Sequence, residues 1–355
     1  MPLTKFLVPY INSPTQIREK PMLAELNLVY VEKLDLVFNN NYEPSLIEYD
    51  SSYYTYPPPN QLQATYEIIK ANLSKGSRLV EIGCGKGGLL DLIREDSFFS
   101  YAGFDTSYEG NDPRIKKRYL QNSDSDSADL IILRHVLEHI KYPHRFLKLL
   151  MSNFQANPSI YIEVPKFDWI EQNLVLYDLF YEHVNYFKEK SLKKLFSKFS
   201  DYGVLNNGQY HYIIAKLDNL KFELWEETLN CDPNKFNKYP VKLYFDQMLN
   251  LVEWCKTKNK IWLWGVANKG TLFLLHLKNL APEVFSKIAG VVDSDPGIQQ
   301  KFTRSTNLRI ENPAVLFENI RENDVVLISN PAYYTEIKNL CSEISLPKIF
   351  FRSIN

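Results

Sequence analysis

The sequence predicts an α/β protein of two domains, each a mostly parallel sheet with helices on its faces. Three observations predict it. Short apolar runs alternate with helical patterns from residue 61 to 217, a second alternation runs from 258 to 355, and each contains a strand, a glycine turn and a helix in succession. A length of 355 residues exceeds one typical domain, and 45% hydrophobic with 23% charged residues is ordinary for a globular chain with sizeable cores.

Residues 1–60 show no strong period and end in the aromatic, proline-rich EYDSSYYTYPPP, which reads as an N-terminal extension of short strands and loops. NQLQATYEIIKANL follows as a helix, with Gln61, Leu62, Thr65, Ile68, Ile69 and Leu73 on one side. RLVEIGCGKGGLLDLI is a strand, a turn and a helix. YAGFD, ADLIILRHVLEHI, FLKLLMSNF and SIYIEVP continue the alternation, SLKKLFSKF reads as an amphipathic helix, and GQYHYIIAKL as a closing strand. Residues 218–257 look like a helical connector, through LKFELWEETL and VKLYFDQMLNLVEWCKT. The second domain is read from KIWLWGVANKGTLFLLHLKNL, SKIAGVVDSDP and DVVLISNP.

Composition excludes several classes. With 41 basic and 42 acidic residues the net charge is −1, so no global field draws the chain to nucleic acid or anionic lipid. Cys84, Cys231, Cys255 and Cys341 lie far apart in no metal-ligand spacing, so no metal site is expected from them. No run approaches the ~20 apolar residues of a membrane span, and MPLTKFLVPYINSP lacks a signal-peptide core. The expectation is a cytoplasmic protein that meets its partner at a local site, of oligomeric state the sequence leaves open.

In VEIGCGKGG, Gly83, Gly85 and Gly87 stand between strand and helix, where glycine admits positive φ and lets a ligand approach the backbone. Asp105 ends the next strand at the ~20-residue separation where doubly wound folds grip a ribose. The other reading is a tight structural turn with a surface acid. Glu81-Ile82-Gly83-Cys84-Gly85-Lys86-Gly87 resembles the first motif of class I S-adenosylmethionine (SAM) dependent methyltransferases, which have a Rossmann-like sheet. The resemblance implies SAM as cofactor, with Gly83 and Gly85 at its amino-acid tail, Asp105 on its ribose and Glu81 supporting the turn. LRHVLEHI resembles the family's fourth-strand motif and implies His135 beside the cofactor. Glu138 and His139 would open the next helix, with capping or packing and direct function both open.

Beyond it, IEVPKFDWI followed by YDLFYEHVNYF is similar to the sugar C-methyltransferases of deoxysugar biosynthesis, which act on a nucleotide-linked 4-keto sugar. That likeness implies His183 as the base, since an imidazole titrates near neutrality and can take a proton alpha to a ketone, with Glu182 orienting it or holding a hydroxyl. Tyr181, Tyr49 and Tyr53 are candidate substrate contacts, with surface or packing roles the other reading for Tyr49 and Tyr53. Phe180 stands where the family has a phenol, and the family's N-terminal zinc domain has no counterpart before Cys84. The second domain's GVANKGTLFLL resembles a family segment: Lys269 beside Gly265 and Gly270 suits a phosphate, or the segment is a structural turn, and Asp293 is a ribose ligand or a turn former. Two alternatives stand beside C-methylation: O- or N-methylation of a sugar or small metabolite, and a non-catalytic SAM-binding or scaffolding protein.

Overall fold

The computed structural model describes residues 6–10, 14–16, 18, 22–47, 59–121, 124, 127–154, 156–229, 236–343 and 350–354. Tyr49 and Tyr53 lie outside the described residues. The chain divides into two compact units, one of Leu28–Trp169 with His183–Tyr239, the other of Met1–Asn27, Ile170–Glu182 and Pro240–Asn355.

The first unit opens its α/β layer with helix α1, Pro59–Asn72. Strands β1 (Arg78–Ile82), β2 (Ser100–Phe104), β3 (Ile115–Lys116), β4 (Leu130–Arg134), β5 (Ser159–Pro165), β6 (Asp201–Leu205) and β7 (Tyr210–Lys216) form one sheet in the order β6-β7-β5-β4-β1-β2-β3. β1 to β5 run parallel, and β7 is antiparallel to both β5 and β6. The order reverses between β1 and β4, the switch point outside whose strand ends open sheets bind ligands. β4 is buried throughout, as a central parallel strand covered on both faces must be.

Helix α2, Gly88–Asp96, buries Leu89, Leu90 and Ile93 on this sheet. α1 contributes Leu62, Tyr66 and Ile69 to the same core, the spacing of one helical face. Its Gln61 and Thr65 are also buried, although polar. Helix α3, Pro143–Asn153, starts on a proline whose missing N–H costs a first turn nothing. The helix expected from SLKKLFSKF is confined to Glu189–Lys193. Beyond it the backbone pairs instead with the segment before Phe222–Leu229: Phe196 bridges Leu220, Ser197 N–H donates to Asn219 at 2.7 Å and Lys221 N–H to Leu195 at 2.8 Å.

A smaller antiparallel sheet completes this unit, with strands Asn185–Phe187, Leu36–Asn39, Leu28–Val31 and Asn237–Lys238 in that order.

In the second unit, β8 (Ile261–Trp264), β9 (Ile288–Val292), β10 (Ile310–Glu311), β11 (Val325–Ile328) and β12 (Phe350–Ser353) form an all-parallel sheet in the order β10-β9-β8-β11-β12. Trp262, Trp264, Val292, Val326 and Ile328 face a core closed by Leu316, Ile337 and Cys341. Helices α4 (Lys242–Lys256) and α5 (Asn268–Leu280) belong here, and α5 is buried from Gly270 to Leu277. The expected α/β class is thus found, as a Rossmann-like sheet in each unit. No helix of the described residues is long and apolar enough to cross a membrane.

Candidate functional site at the switch point

The turn after β1 is built from left-handed glycines: Gly83, Gly85 and Gly87 have φ of 76°, 57° and 87°. At Gly83 the Val136 side chain fills the place a Cβ would take, so the turn lies directly against the exit of β4. Gly83 N–H donates to Phe104 O at 2.8 Å, tying the turn to β2. Asp105 follows β2 and faces the turn: one carboxylate oxygen accepts from Gly85 N–H at 2.7 Å, the other from the N–H and hydroxyl of Ser107, each at 2.7 Å. Glu81, at the buried end of β1, has an Oε2 without a hydrogen-bond partner among the described residues.

Glu81 and Arg134 face each other across β1 and β4, Arg134 Nη1 lying 3.5 Å from Glu81 Oε1 and Nε 3.6 Å from Glu163 Oε2. Burial pushes the Glu81 carboxyl up to about 7, against the pull of Arg134. Glu163, fully buried on β5, is the hub. It accepts from Gln61 Nε2 at 2.8 Å, Thr65 Oγ1 at 2.9 Å and Tyr161 OH at 2.8 Å. Burial opposes its charge, but Arg134 and His135 hold its carboxyl well below the usual carboxylate range.

His135, the residue after β4, is itself left-handed at φ 52°, a conformation non-glycine residues rarely keep outside functional or strongly constrained places. Its N–H donates to Glu163 O at 2.9 Å. Nε2 of its ring lies 3.2 Å from Glu163 Oε1 and from Gln61 Nε2, and the ring meets Tyr210 edge-on at 4.8 Å. Burial disfavours the imidazolium, but Glu138 and Glu163 hold its pKa up at about 9. Sequence reasoning missed Arg134, Glu163, Gln61 and Thr65 as members of this cluster. The available signal was two polar residues on the apolar face of α1.

Leu137–His139 form a short 3₁₀ turn rather than the start of α3. Val184 N–H donates to Glu138 O at 2.8 Å, and Asn185 Nδ2 to Ile140 O at 2.7 Å. These bonds hang the segment that begins at His183 on the exit of β4. The His183 ring consequently stands 4.9 Å from the His139 ring, the two nearly perpendicular.

The remaining expected residues belong to the second unit. Glu182 and Tyr181 are buried there, Tyr181 edge-on to Tyr10 at 4.9 Å. The Lys269 ammonium pairs with the Asp178 carboxylate at 2.6 Å. Burial raises the Asp178 carboxyl, against the pull of Lys269. Asp293 repeats the device of Asp105, accepting from Val266 N–H at 2.9 Å and from Asp295 N–H at 3.0 Å beside the left-handed Gly265.

Two features fit a cationic donor carrying an amino acid: a glycine turn pressed on the switch point, and the orphaned Glu81 oxygen two residues before it. Residues 59–200 match a family model described as a methyltransferase domain. No curated protein matches the chain. Among solved structures, it is similar to a SAM-dependent methyltransferase from Archaeoglobus fulgidus at 18% identity, over 45% of this chain and 94% of that one, with a TM-score of 0.33. It is also similar to the PH0226 protein from Pyrococcus horikoshii, at 12% identity over 44% and 89%, TM-score 0.34. For the CurJ carbon methyltransferase the values are 18%, 44% and 54%, TM-score 0.32. Residues 59–200 of the chain are thus assigned to a methyltransferase domain.

Proposed function

We propose that this domain methylates carbon in a nucleotide-linked keto sugar, with His183 as the base. The observation that carries the reading is the anchoring of the His183 segment, through Val184 and Asn185, to the turn that leaves β4 beside the glycine turn. An acceptor-side imidazole is thereby held at the carboxyl ends of the parallel strands, where the cofactor is expected.

SAM, when bound, supplies an electrophilic methyl group on a sulfonium. Gly83 and Gly85 would seat its amino-acid tail, with Glu81 offering its orphaned oxygen to the ammonium. Asp105 would hold the ribose on the lone pairs left by Gly85 and Ser107, and His135 would flank the cofactor from the end of β4. His183 would remove the proton alpha to the ketone, leaving an enolate carbon as nucleophile. Glu182 would orient the imidazole or hold a sugar hydroxyl. Tyr181 is assigned to substrate contact. Lys269 is assigned to the nucleotide phosphates, which requires it to exchange Asp178 for the ligand. Tyr49 and Tyr53 keep the sequence-based assignment alone. The domain limits proposed are 1–60, 61–217, 218–257 and 258–355.

The test is mass-spectrometric screening of nucleotide-linked keto sugars with SAM, paired with His183→Ala. The expected result is a methylated product with wild type, none with the variant, and unchanged SAM affinity by calorimetry. Solvent deuterium should enter alpha to the ketone in the wild type. Methylation without that exchange would move the reaction to oxygen or nitrogen, and full turnover by His183→Ala would remove this base.

A further inference from the structure

The reading above uses neither Glu138 nor His139, yet the structure gathers both against His183. One ligand atom from each of Glu138, His139 and His183 lies within 4.8 Å of the others. All three belong to the first unit. They are held by its own hydrogen bonds: the Leu137–His139 turn carries two of them, Val184 N–H on Glu138 O fixes the third beside it, and Tyr42 OH donates to His139 O at 3.3 Å.

A second observation points to a ligand. Glu138 is 1% exposed, and neither carboxylate oxygen has a hydrogen-bond partner among the described residues. Oε1 lies 3.4 Å from His135 Nδ1, within ion-pair reach but outside hydrogen-bond geometry. An acid so buried, with His135 as counter-charge but no hydrogen bond among the described residues, carries a desolvation cost that a further well-aimed partner would offset. Cation binding offsets it directly, and two imidazoles beside one carboxylate are the donor set of first-row divalent metals.

We propose that Glu138, His139 and His183 bind a first-row divalent metal ion. Around an ion with metal–ligand bonds of ~2.0–2.2 Å, tetrahedral donor atoms stand about 3.4 Å apart. The present separations, at most 4.8 Å, exceed that spacing by no more than about 1.4 Å. Three protein ligands leave coordination positions open, and His139 and His183 are only partly buried, so an acceptor's keto or hydroxyl oxygen can reach the ion. The ion would polarise that oxygen and lower the pKa of the neighbouring C–H or of the O–H itself. This goes beyond the function proposed above: with the ion bound, His183 is a ligand and a hydroxide in an open coordination position would take the acceptor's proton and leave as water, whereas the base role of His183 belongs to the metal-free protein.

The test is titration of chelator-treated full-length protein with Co²⁺, read by visible absorption and calorimetry, in wild type and in Glu138→Gln, His139→Ala and His183→Ala. Expected is one Co²⁺ per chain, weakened at least tenfold by each variant, while SAM binding and circular dichroism stay unchanged. Glu138→Gln keeps the buried shape, so a fold lost in one variant leaves the other two to decide. Absence of Co²⁺ binding, or equal binding by all four proteins, overturns the proposal and leaves His183 free to act as base. Loss of SAM binding by the wild type would instead strike the methyltransferase reading, with Co²⁺ binding still measurable.

Discussion

Replacing Glu163 with Gln tests whether the buried cluster at the end of β4 and β5 is held by charge. The substitution keeps the side chain's shape and removes one negative charge from a site with no exposure. Gln61, Thr65 and Tyr161, at 2.8, 2.9 and 2.8 Å, keep a neutral partner, because two of the three are hydroxyls that can reverse donor and acceptor. Arg134 does not. It is left with Glu81, whose own carboxyl is pushed up to about 7 and so is partly protonated at neutral pH. Breaking one partner out of a buried ion pair costs about 3–5 kcal/mol, a large part of a domain's ~5–15 kcal/mol. Urea unfolding followed by circular dichroism at pH 7.5 should show that loss. Adding Arg134→Met should recover part of it, because the uncompensated guanidinium is then gone. A single-variant loss below ~1 kcal/mol, or a double variant equal to the sum of its singles, would refute the ion-pair account.

Gly83→Ala should cost ~1–2 kcal/mol for its left-handed φ, more with the Val136 contact, and should weaken SAM at least tenfold by calorimetry; unchanged affinity would detach the turn from the cofactor. Lys269→Met leaves Asp178 buried without its cation and should destabilise by about 3 kcal/mol, with Asp178→Asn in the same chain restoring most of it in thermal melts. Burial holds His211 down at about 3 and His276 at about 4, so the unfolded chain takes up their protons first as pH falls below ~6.5. Each should subtract ~1.4 kcal/mol of stability per pH unit down to about pH 4, and His211→Asn should flatten that slope in urea titrations at pH 7, 5.5 and 4.5, values on either side of the ~6.5 reference.

Much of the architecture is carried by local pattern. RLVEI, ADLIILR and KIWLW are short apolar runs stopped by glycine or a charge, and the structure makes each a central parallel strand. Edge strands such as Ile310–Glu311 are too short to leave a period. The SLKKLF helix is cut off by backbone pairing with residues 219–221, a partner its own periodicity cannot announce. In the site, the glycine turn and Asp105 were legible because the turn requires those residues. The Glu163 cluster was not, since Gln61 and Thr65 sit 102 and 98 positions from the acid they serve. Glu138 and His139 read equally well as a helix start, and only their fold into a separate turn beside His183 distinguishes them.

The chain leaves the first unit after Trp169, lends Ile170–Glu182 to the second, and re-enters at His183. During synthesis neither unit can therefore close in the order it is made. Residues 1–27 and 170–182 emerge long before the strands from Ile261 onward that complete their unit, and the first unit waits for Tyr239 before its smaller sheet is whole. Domains usually fold as contiguous pieces from the N-terminus. Here the buried aromatics Tyr177, Phe180 and Tyr181 must wait through about half the nascent chain's elongation, which makes this segment a natural client for chaperones and a poor place to cut when a fragment is expressed alone.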